Sequence, residues 1–266
     1  MEAKSEPASP FRSMHRFYLP PEQSTGPTLF LTGREAHHAS HVLRLRRGQR
    51  VVVLDGAGHE FFCDVGASDR DKIELTVVTT QSHAASPCQL TLLQAIPKGK
   101  LLESIIQKAT ELGAARIVPL LSEHVVSHIA EPEAARKTAK WQLMAIEAIK
   151  QCGNPWLPRV ETPISPARFL ARKEKFDLPL IASLQSGAQH PRACFRAFSS
   201  REKRLPQSAC AWIGPEGDFT SAEVSAITGE GALPITLGKL VLRTETAAIY
   251  CLSILNYELQ SPFPRD

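Results

Sequence analysis

The residues best equipped for chemistry fall in two segments near the C-terminus, WIGPEGDFTSAE at 212–223 and LGKLVLRTETAAIY at 237–250. In the first, Gly214 and Gly217 bracket Pro215 and Glu216 directly after an apolar run. Glycine permits positive φ and a close approach of backbone to a ligand. A strand, a glycine turn and a helix in succession form the place where open α/β sheets bind ligands, beyond the carboxyl ends of their strands. The same pattern suits a tight turn that binds nothing, and spacing alone leaves both readings open. Thr220 or Ser221 is a natural N-cap there, with Glu223 as its capping-box partner. In the second segment Arg243, Thr244, Glu245 and Thr246 precede an apolar helix. Capping by Thr244 or Thr246 and a first-turn Glu245 account for three of them. Arg243 is different, because a cation at the positive end of a helix is disfavoured unless it faces a partner.

Other chemistries lack their signals. There is no GxxxxGK[ST] and no GxGxxG with a following acid, and the GAG at 56–58 leads into a strand, so NAD or ATP is weakly supported. His37 and His41 are one turn apart, as are His124 and His128, but neither pair sits in HExxH or beside a cysteine set, so no metal is expected. A serine-hydrolase elbow, GxSxG, is missing. The basic residues are unevenly spread. Between Arg12 and Arg50, Arg12, Arg16, Arg34, Arg44, Arg46, Arg47 and Arg50 stand against only Glu22 and Glu35. They read either as a solvated surface or, for Arg12, Arg16, Arg44, Arg46, Arg47 and Arg50, as contacts to a phosphate backbone. Beside a small β-domain the second reading points to RNA.

The elements that must position these residues change rhythm midway. From about 12 to 80, short strands (RFYL, TLFL, RVVVLDG, HEFFCDV, KIELTVVTT) surround one helical candidate, GREAHHASHVLRL, whose Ala36, Ala39, Val42 and Leu43 share a face. That pattern predicts a small β-barrel. QSHAASP at 81–87 is a polar linker and the best domain boundary. From 88 to 266 strands alternate with helices, which predicts a mostly parallel sheet covered on both sides. Residues 1–11 read as a disordered lead. Six scattered cysteines (63, 88, 152, 194, 210 and 251) read as free thiols of a reducing compartment. With 43% apolar residues, a formal charge of +4 and no secretory or membrane-spanning run, a soluble cytoplasmic protein is expected.

The two C-terminal loops, together with HRFYL at 15–19, HHASHVLRLRRGQRVVVLDGAG at 37–58, KGKLLESIIQKATELGAARIVPLLSEHVV at 98–126 and AIEAIKQCGNPWLPRV at 145–160, closely resemble the RsmE family. These are the bacterial 16S rRNA (uracil-N3)-methyltransferases of the SPOUT superfamily. The resemblance implies an N-terminal PUA-like β-barrel and an α/β SPOUT methyltransferase domain with a trefoil knot, acting as a homodimer. It implies transfer of a methyl group from S-adenosyl-L-methionine to N3 of uridine 1498 in the small ribosomal subunit. Carried onto this chain, it assigns cofactor binding to Leu184, Ile213, Gly214, Pro215, Glu216, Gly217, Leu237, Gly238, Leu242 and Thr244. Catalysis falls to Arg243, Glu216 and Glu245, the two glutamates unranked as proton acceptor or orienting group, and the barrel with its arginines docks the RNA. Four positions depart from the commonest pattern. Asp218 stands where a second glycine is usual, and His124, Asn154 and Leu240 stand where arginine is usual. A knotted methyltransferase with another nucleoside target, or an RNA-binding protein without activity, remains as an alternative.

Overall fold

The structure, a computed structural model, describes residues 14–69, 71–125, 131–185 and 187–259. The expected lead at 1–11, Arg12 and His128 lie outside the described residues. The chain divides into two compact units, residues 1–85 with 149–156 and residues 86–148 with 157–266.

In the first unit, β1 (Arg16–Tyr18), β2 (Thr28–Thr32), β3 (Arg50–Leu54), β4 (His59–Ser68) and β5 (Lys72–Ser82) form one sheet in the order β1-β3-β4-β5-β2. The pairs Leu29 and Leu31, Val51 and Val53, Cys63 and Val65, and Ile73 and Leu75 are all buried in one cluster. Their spacing of two is what a pleated strand with one covered face requires. The strand order leaves β1 and β2 as separate ends, so the expected barrel is a half-barrel. The expected helix through residue 45 is also cut short. After α1 (Gly33–His37) the chain widens into a π-turn over His38–Val42, where the Leu43 N–H donates to the His38 carbonyl at 3.0 Å. The extra residue in that turn rotates Val42 off the buried face, leaving it 63% exposed, while Ala36 and Ala39 stay in the core. Arg44, at φ 52°, ends the segment.

Residues 153–156 complete this unit. Asn154 Oδ1 accepts from the Trp156 N–H at 3.0 Å, an Asx turn, and Trp156 Nε1 donates to the Ala84 carbonyl at 3.2 Å. A Cβ at Gly58 would lie 2.5 Å from the Trp156 ring, which accounts for the last glycine of GAG as a packing residue.

In the second unit, β6 (Gln89–Ala95), β7 (Ala114–Leu120), β8 (Arg159–Val160), β9 (Leu178–Ala182), β10 (Ser208–Ile213) and β11 (Leu233–Ile235) form a sheet ordered β11-β9-β10-β6-β7-β8, every pair parallel. Successive strand residues feed two separate cores. Leu90, Leu92, Ala209, Ala211 and Ile213 pack with residues of α2 (Leu101–Glu111), α3 (Glu131–Cys152), α5 (Pro191–Glu202) and α7 (Thr244–Leu259). Leu93, Ala95, Cys210 and Trp212 pack with α4 (Pro166–Leu170) and α6 (Ser221–Gly229). Both faces are therefore covered, which is why these strands read as continuous apolar runs. Neither β8 nor α4 was expected. β8 has two residues, and α4 is a single capped turn with Pro166 first and Ser165 Oγ accepting from the Arg168 N–H at 3.3 Å.

Candidate active site

The carboxyl ends of β9, β10 and β11 surround a cavity of about 510 Å³, a size that suits one small-molecule ligand. Leu184, Ile213, Gly214, Pro215, Glu216, Leu237, Gly238, Leu242 and Thr244 line it, as do Arg243 and Glu245. Gly217 stands behind the wall, 3.6 Å from His124 Nδ1 measured at the Cβ it lacks. The remaining lining is mostly apolar and includes Leu101, Ala182, Leu240, Val241 and Ala247. Leu184 at 64%, Leu240 at 78% and Val241 at 78% are exposed at its lip.

The first wall is a turn that only a small residue fits. The Asp218 N–H donates to the Pro215 carbonyl at 3.0 Å, closing residues 215–218. A Cβ on Gly214 would stand 2.7 Å from Asp218 Oδ1 and 3.2 Å from both the Asp218 Cα and the Phe219 nitrogen, so no other residue fits without moving the turn. Asp218 itself has φ 61°, left-handed territory that favours glycine. Its Oδ1 accepts from the Phe219 N–H at 2.8 Å, the local bond that lets aspartate occupy this region. The departure at 218 is thus accommodated in place. Downstream, Thr220 caps α6 as expected. Its hydroxyl accepts from the Glu223 N–H at 3.2 Å, and Glu223 Oε2 accepts from the Thr220 N–H at 2.9 Å.

The second wall joins the first through Thr244. The N-cap position of α7 falls to Arg243, whose carbonyl accepts from the Ala247 N–H at 2.8 Å. Thr244 is buried and does not cap. Its hydroxyl donates to the Gly214 carbonyl at 2.6 Å and accepts from Gln94 Nε2 at 2.9 Å. Gln94 Nε2 also donates to the Ala95 carbonyl at 2.8 Å, which fixes the orientation of the amide. Gln94 Oε1 is buried without a partner among the described residues. Gln94 escaped the sequence reading. Its signal was a single amide inside the apolar strand LTLLQAI.

A smaller cavity of about 190 Å³ adjoins the first and shares Glu216 with it. Its lining is Ile96, Pro97, Lys98, Gly99, His124, Val125 and Glu216. Glu216 Oε1 accepts from the Lys98 main-chain N–H at 2.9 Å. His124 Nδ1 lies 3.2 Å from the Gly217 carbonyl and 2.9 Å from that of Asp218. Both partners only accept, so Nδ1 carries the proton and ties residues 217–218 to this wall. The histidine that departs from the commonest pattern is therefore a brace for the glycine turn.

None of the six cysteines lines either cavity. Burial pushes the thiols of Cys63, Cys88, Cys210 and Cys251 up to about 12, which leaves these four without thiolate character at neutral pH. In the first unit Arg44, Arg46 and Arg47 are exposed. Arg50 is paired with Asp64 at 3.0 Å, and the Arg16 guanidinium packs 3.1 Å from the Cβ position of Gly153. The six arginines are thus not equivalent, since Arg16 and Arg50 have partners inside the protein. Among the described residues no group of three His, Cys, Asp or Glu side chains is placed to hold a metal ion, and no helix is long and apolar enough to cross a membrane.

A half-barrel followed by an all-parallel sheet with a cavity at its carboxyl edge matches two family models, an RNA methyltransferase domain over residues 84–256 and an RNA methyltransferase PUA domain over residues 31–78. The class is therefore that of an RNA methyltransferase with an N-terminal PUA domain. The chain is 33% identical to the ribosomal RNA small subunit methyltransferase E of Bacillus subtilis, over 88% of this chain and 91% of the relative. It is 30% identical to the enzyme of the same name from Synechocystis, over 98% and 83%. By these relatives the chain belongs to the ribosomal RNA small subunit methyltransferase E family. Among solved structures, the Neisseria gonorrhoeae protein of that name, bound to S-adenosyl methionine, superposes with a TM-score of 0.79 at 28% identity, covering 92% of this chain and 98% of the other. A Legionella pneumophila structure with the bound cofactor SAM superposes at 0.81 with 31% identity and the same coverage.

Proposed function

We propose that the chain transfers a methyl group from S-adenosyl-L-methionine to N3 of uridine 1498 in the 16S rRNA of the small ribosomal subunit. The observation that carries this reading is the 510 Å³ cavity, walled by the glycine loops at 213–217 and 237–242. Its residues fit the cofactor. A nucleoside sulfonium needs an apolar slot with main-chain donors and acceptors for its adenosine, and the walls combine Ile213, Leu237 and Leu242 with the close-packed backbone at Gly214. Leu184, Ile213, Gly214, Pro215, Glu216, Leu237, Gly238, Leu242 and Thr244 would hold it, and Gly217, which does not line the cavity, would support the turn. When bound, the cofactor supplies an electrophilic methyl on a sulfonium, and the electrons of the broken S–C bond return to sulfur.

The protein supplies the rest. N3 of uracil carries a proton at neutral pH, so an acceptor must take it and donors must stabilise charge on the carbonyls. Glu216 and Glu245 are the carboxylates at the cavity, and Arg243 is its guanidinium. Arg243 sits at the positive end of α7, where a cation is favoured only with an anionic or carbonyl partner, and a developing uracil anion provides one. Residues 12–80 dock the RNA, with Arg12, Arg16, Arg44, Arg46, Arg47 and Arg50 as its phosphate contacts. Residues 81–87, the first two of which close β5, lead into the methyltransferase domain at 88–266, from which 149–156 pack with the first unit, and its cofactor loops form a trefoil knot. The apolar lip at Leu184, Leu240 and Val241, with exposed Tyr250 and Tyr257 two turns apart on α7, supports a homodimer covering this edge. The reaction belongs in the cytoplasm, with the ribosome.

Small subunits lacking the modification, incubated with the protein and S-adenosylmethionine carrying a labelled methyl, are expected to take up one label at uracil N3. Label on another base, on ribose, or nowhere overturns the reading. Arg243→Ala is expected to lower the transfer rate about a hundredfold while the circular dichroism spectrum is unchanged. An unaltered rate removes Arg243 from the reaction.

A further inference from the structure

We infer that the 190 Å³ cavity is the subsite for the base to be methylated, and that it selects uracil through Glu216 and Lys98. The inference rests on the transfer to uracil N3 proposed above and adds where the base sits and what reads it. Three observations carry it. Glu216 lines both cavities, so a ring held in the smaller one lies beside a ligand held in the larger. The smaller volume falls below the ~300 Å³ at which sites for drug-sized ligands begin, and suits a single ring. Its lining residues include Lys98 and Glu216, side-chain types that complement one base edge.

That edge is the Watson–Crick side of uracil, a single N3–H donor between two carbonyl acceptors. Glu216 is held by the Lys98 main-chain N–H through Oε1, and Oε2 has no hydrogen-bond partner among the described residues. A carboxylate oxygen accepts from an N–H, and in the proposed complex the exposed Lys98 side chain swings its ammonium onto a neighbouring carbonyl. Cytosine offers the reverse pattern, a lone pair at N3 and an amino donor beside it. It would place a lone pair against the carboxylate and an amino group against the ammonium, leaving both protein groups unpaired, and sites of this kind reject such analogues strongly. The same contact performs the proton step. As N3–H passes its proton to Oε2, the electron pair left on nitrogen forms the new N–C bond to the methyl, and the carboxyl group later releases the proton to water. Glu216 is then the proton acceptor, and Glu245 is not.

The test uses the full chain saturated with S-adenosylhomocysteine and follows the methyl signals of Ile96 and Val125 by nuclear magnetic resonance during titration with uridine, cytidine or 3-methyluridine. Uridine is expected to move both signals saturably, with cytidine and 3-methyluridine about tenfold weaker. Lys98→Met is expected to weaken uridine about fivefold and to leave S-adenosylhomocysteine binding unchanged. No movement up to the solubility limit of uridine, or equal responses to the three nucleosides, overturns the inference. So does saturation of the two signals by S-adenosylhomocysteine alone with no further response to uridine, which would mark this cavity as part of the cofactor site. These outcomes are independent of the mapped methyl position: a methyl on uracil N3 with no uridine response sinks the subsite alone, and a methyl elsewhere sinks the reaction.

Discussion

The two adjoining cavities are built from different parts of the chain's chemistry. The larger is shaped mostly by backbone and apolar side chains, with Arg243 and Glu245 at the start of α7 among its charged residues, and its Gly214 turn is so tight that a methyl group would collide with it. The smaller gathers Lys98, His124 and Glu216 around a short loop. On the proposals above, a ligand in the first is held mainly by shape and main-chain groups, whereas a base in the second meets the carboxylate that takes its proton. Those proposals predict that cofactor binding and proton transfer respond differently to mutation, with Glu216 at the seam.

The sharpest attempt to break this division is Glu216→Gln. It keeps the acceptor for the Lys98 N–H and removes the base, so the methyl-transfer rate should fall about a thousandfold. The dissociation constant for S-adenosylmethionine, read by calorimetry, should rise far less, by about tenfold at most, since Glu216 is one of many residues lining that cavity. Parallel losses in both quantities would erase the distinction. Gly214→Ala should do the opposite. Displacing Asp218 and Phe219 is expected to weaken cofactor binding about a hundredfold, while the rate at saturating cofactor stays near that of the parent protein. Gln94→Leu tests the bridge between the two walls. It deprives the Thr244 hydroxyl and the Ala95 carbonyl of a donor, yet it also removes the orphaned Oε1, so a loss of about tenfold in cofactor affinity is expected.

The smallest effect belongs to a site remote from both cavities. Asp177 takes a two-pronged bond from Arg204, at 2.6 and 2.9 Å, and a main-chain bond from Gln207. These pull its carboxyl from 3.8 down to about 2, the Arg204 bond contributing most. A depressed value means that the stabilisation is fully present above 3.8 and is lost as pH falls towards 2. Asp177→Asn should lower the urea midpoint slightly at neutral pH and flatten its decline through that acid window. It should leave cofactor affinity and rate untouched, and any change in either would show that the cavities are not insulated from the rest of the sheet.

Much of this arrangement was legible from short-range pattern. The apolar runs at 89–95 and 208–213 declared strands covered on both faces, and the Thr220–Glu223 spacing declared a capping box. Arg243 stood out because a helix start should not hold a cation. What stayed hidden depends on contacts between distant positions. Gln94 and Thr244 are 150 residues apart, and His124 meets Gly217 across 93. Nothing in local spacing distinguishes Thr244 as a bridge from Thr244 as a cap. The half-barrel and the π-turn were missed for a related reason. Alternation predicts strands but not whether the end strands meet, and helical periodicity cannot reveal one inserted residue until the sheet beneath it is known.

The crowding at Gly214 has a consequence for any competitor of the cofactor. A pocket drawn by side chains can be redrawn one substitution at a time, and resistance arises that way. Here one stretch of the wall is the carbonyl and amide skeleton of a turn in which even a methyl group at Gly214 has no room. A compound that reads that skeleton would face few escape routes, because a side chain at Gly214 able to expel it would first have to displace Asp218 and Phe219.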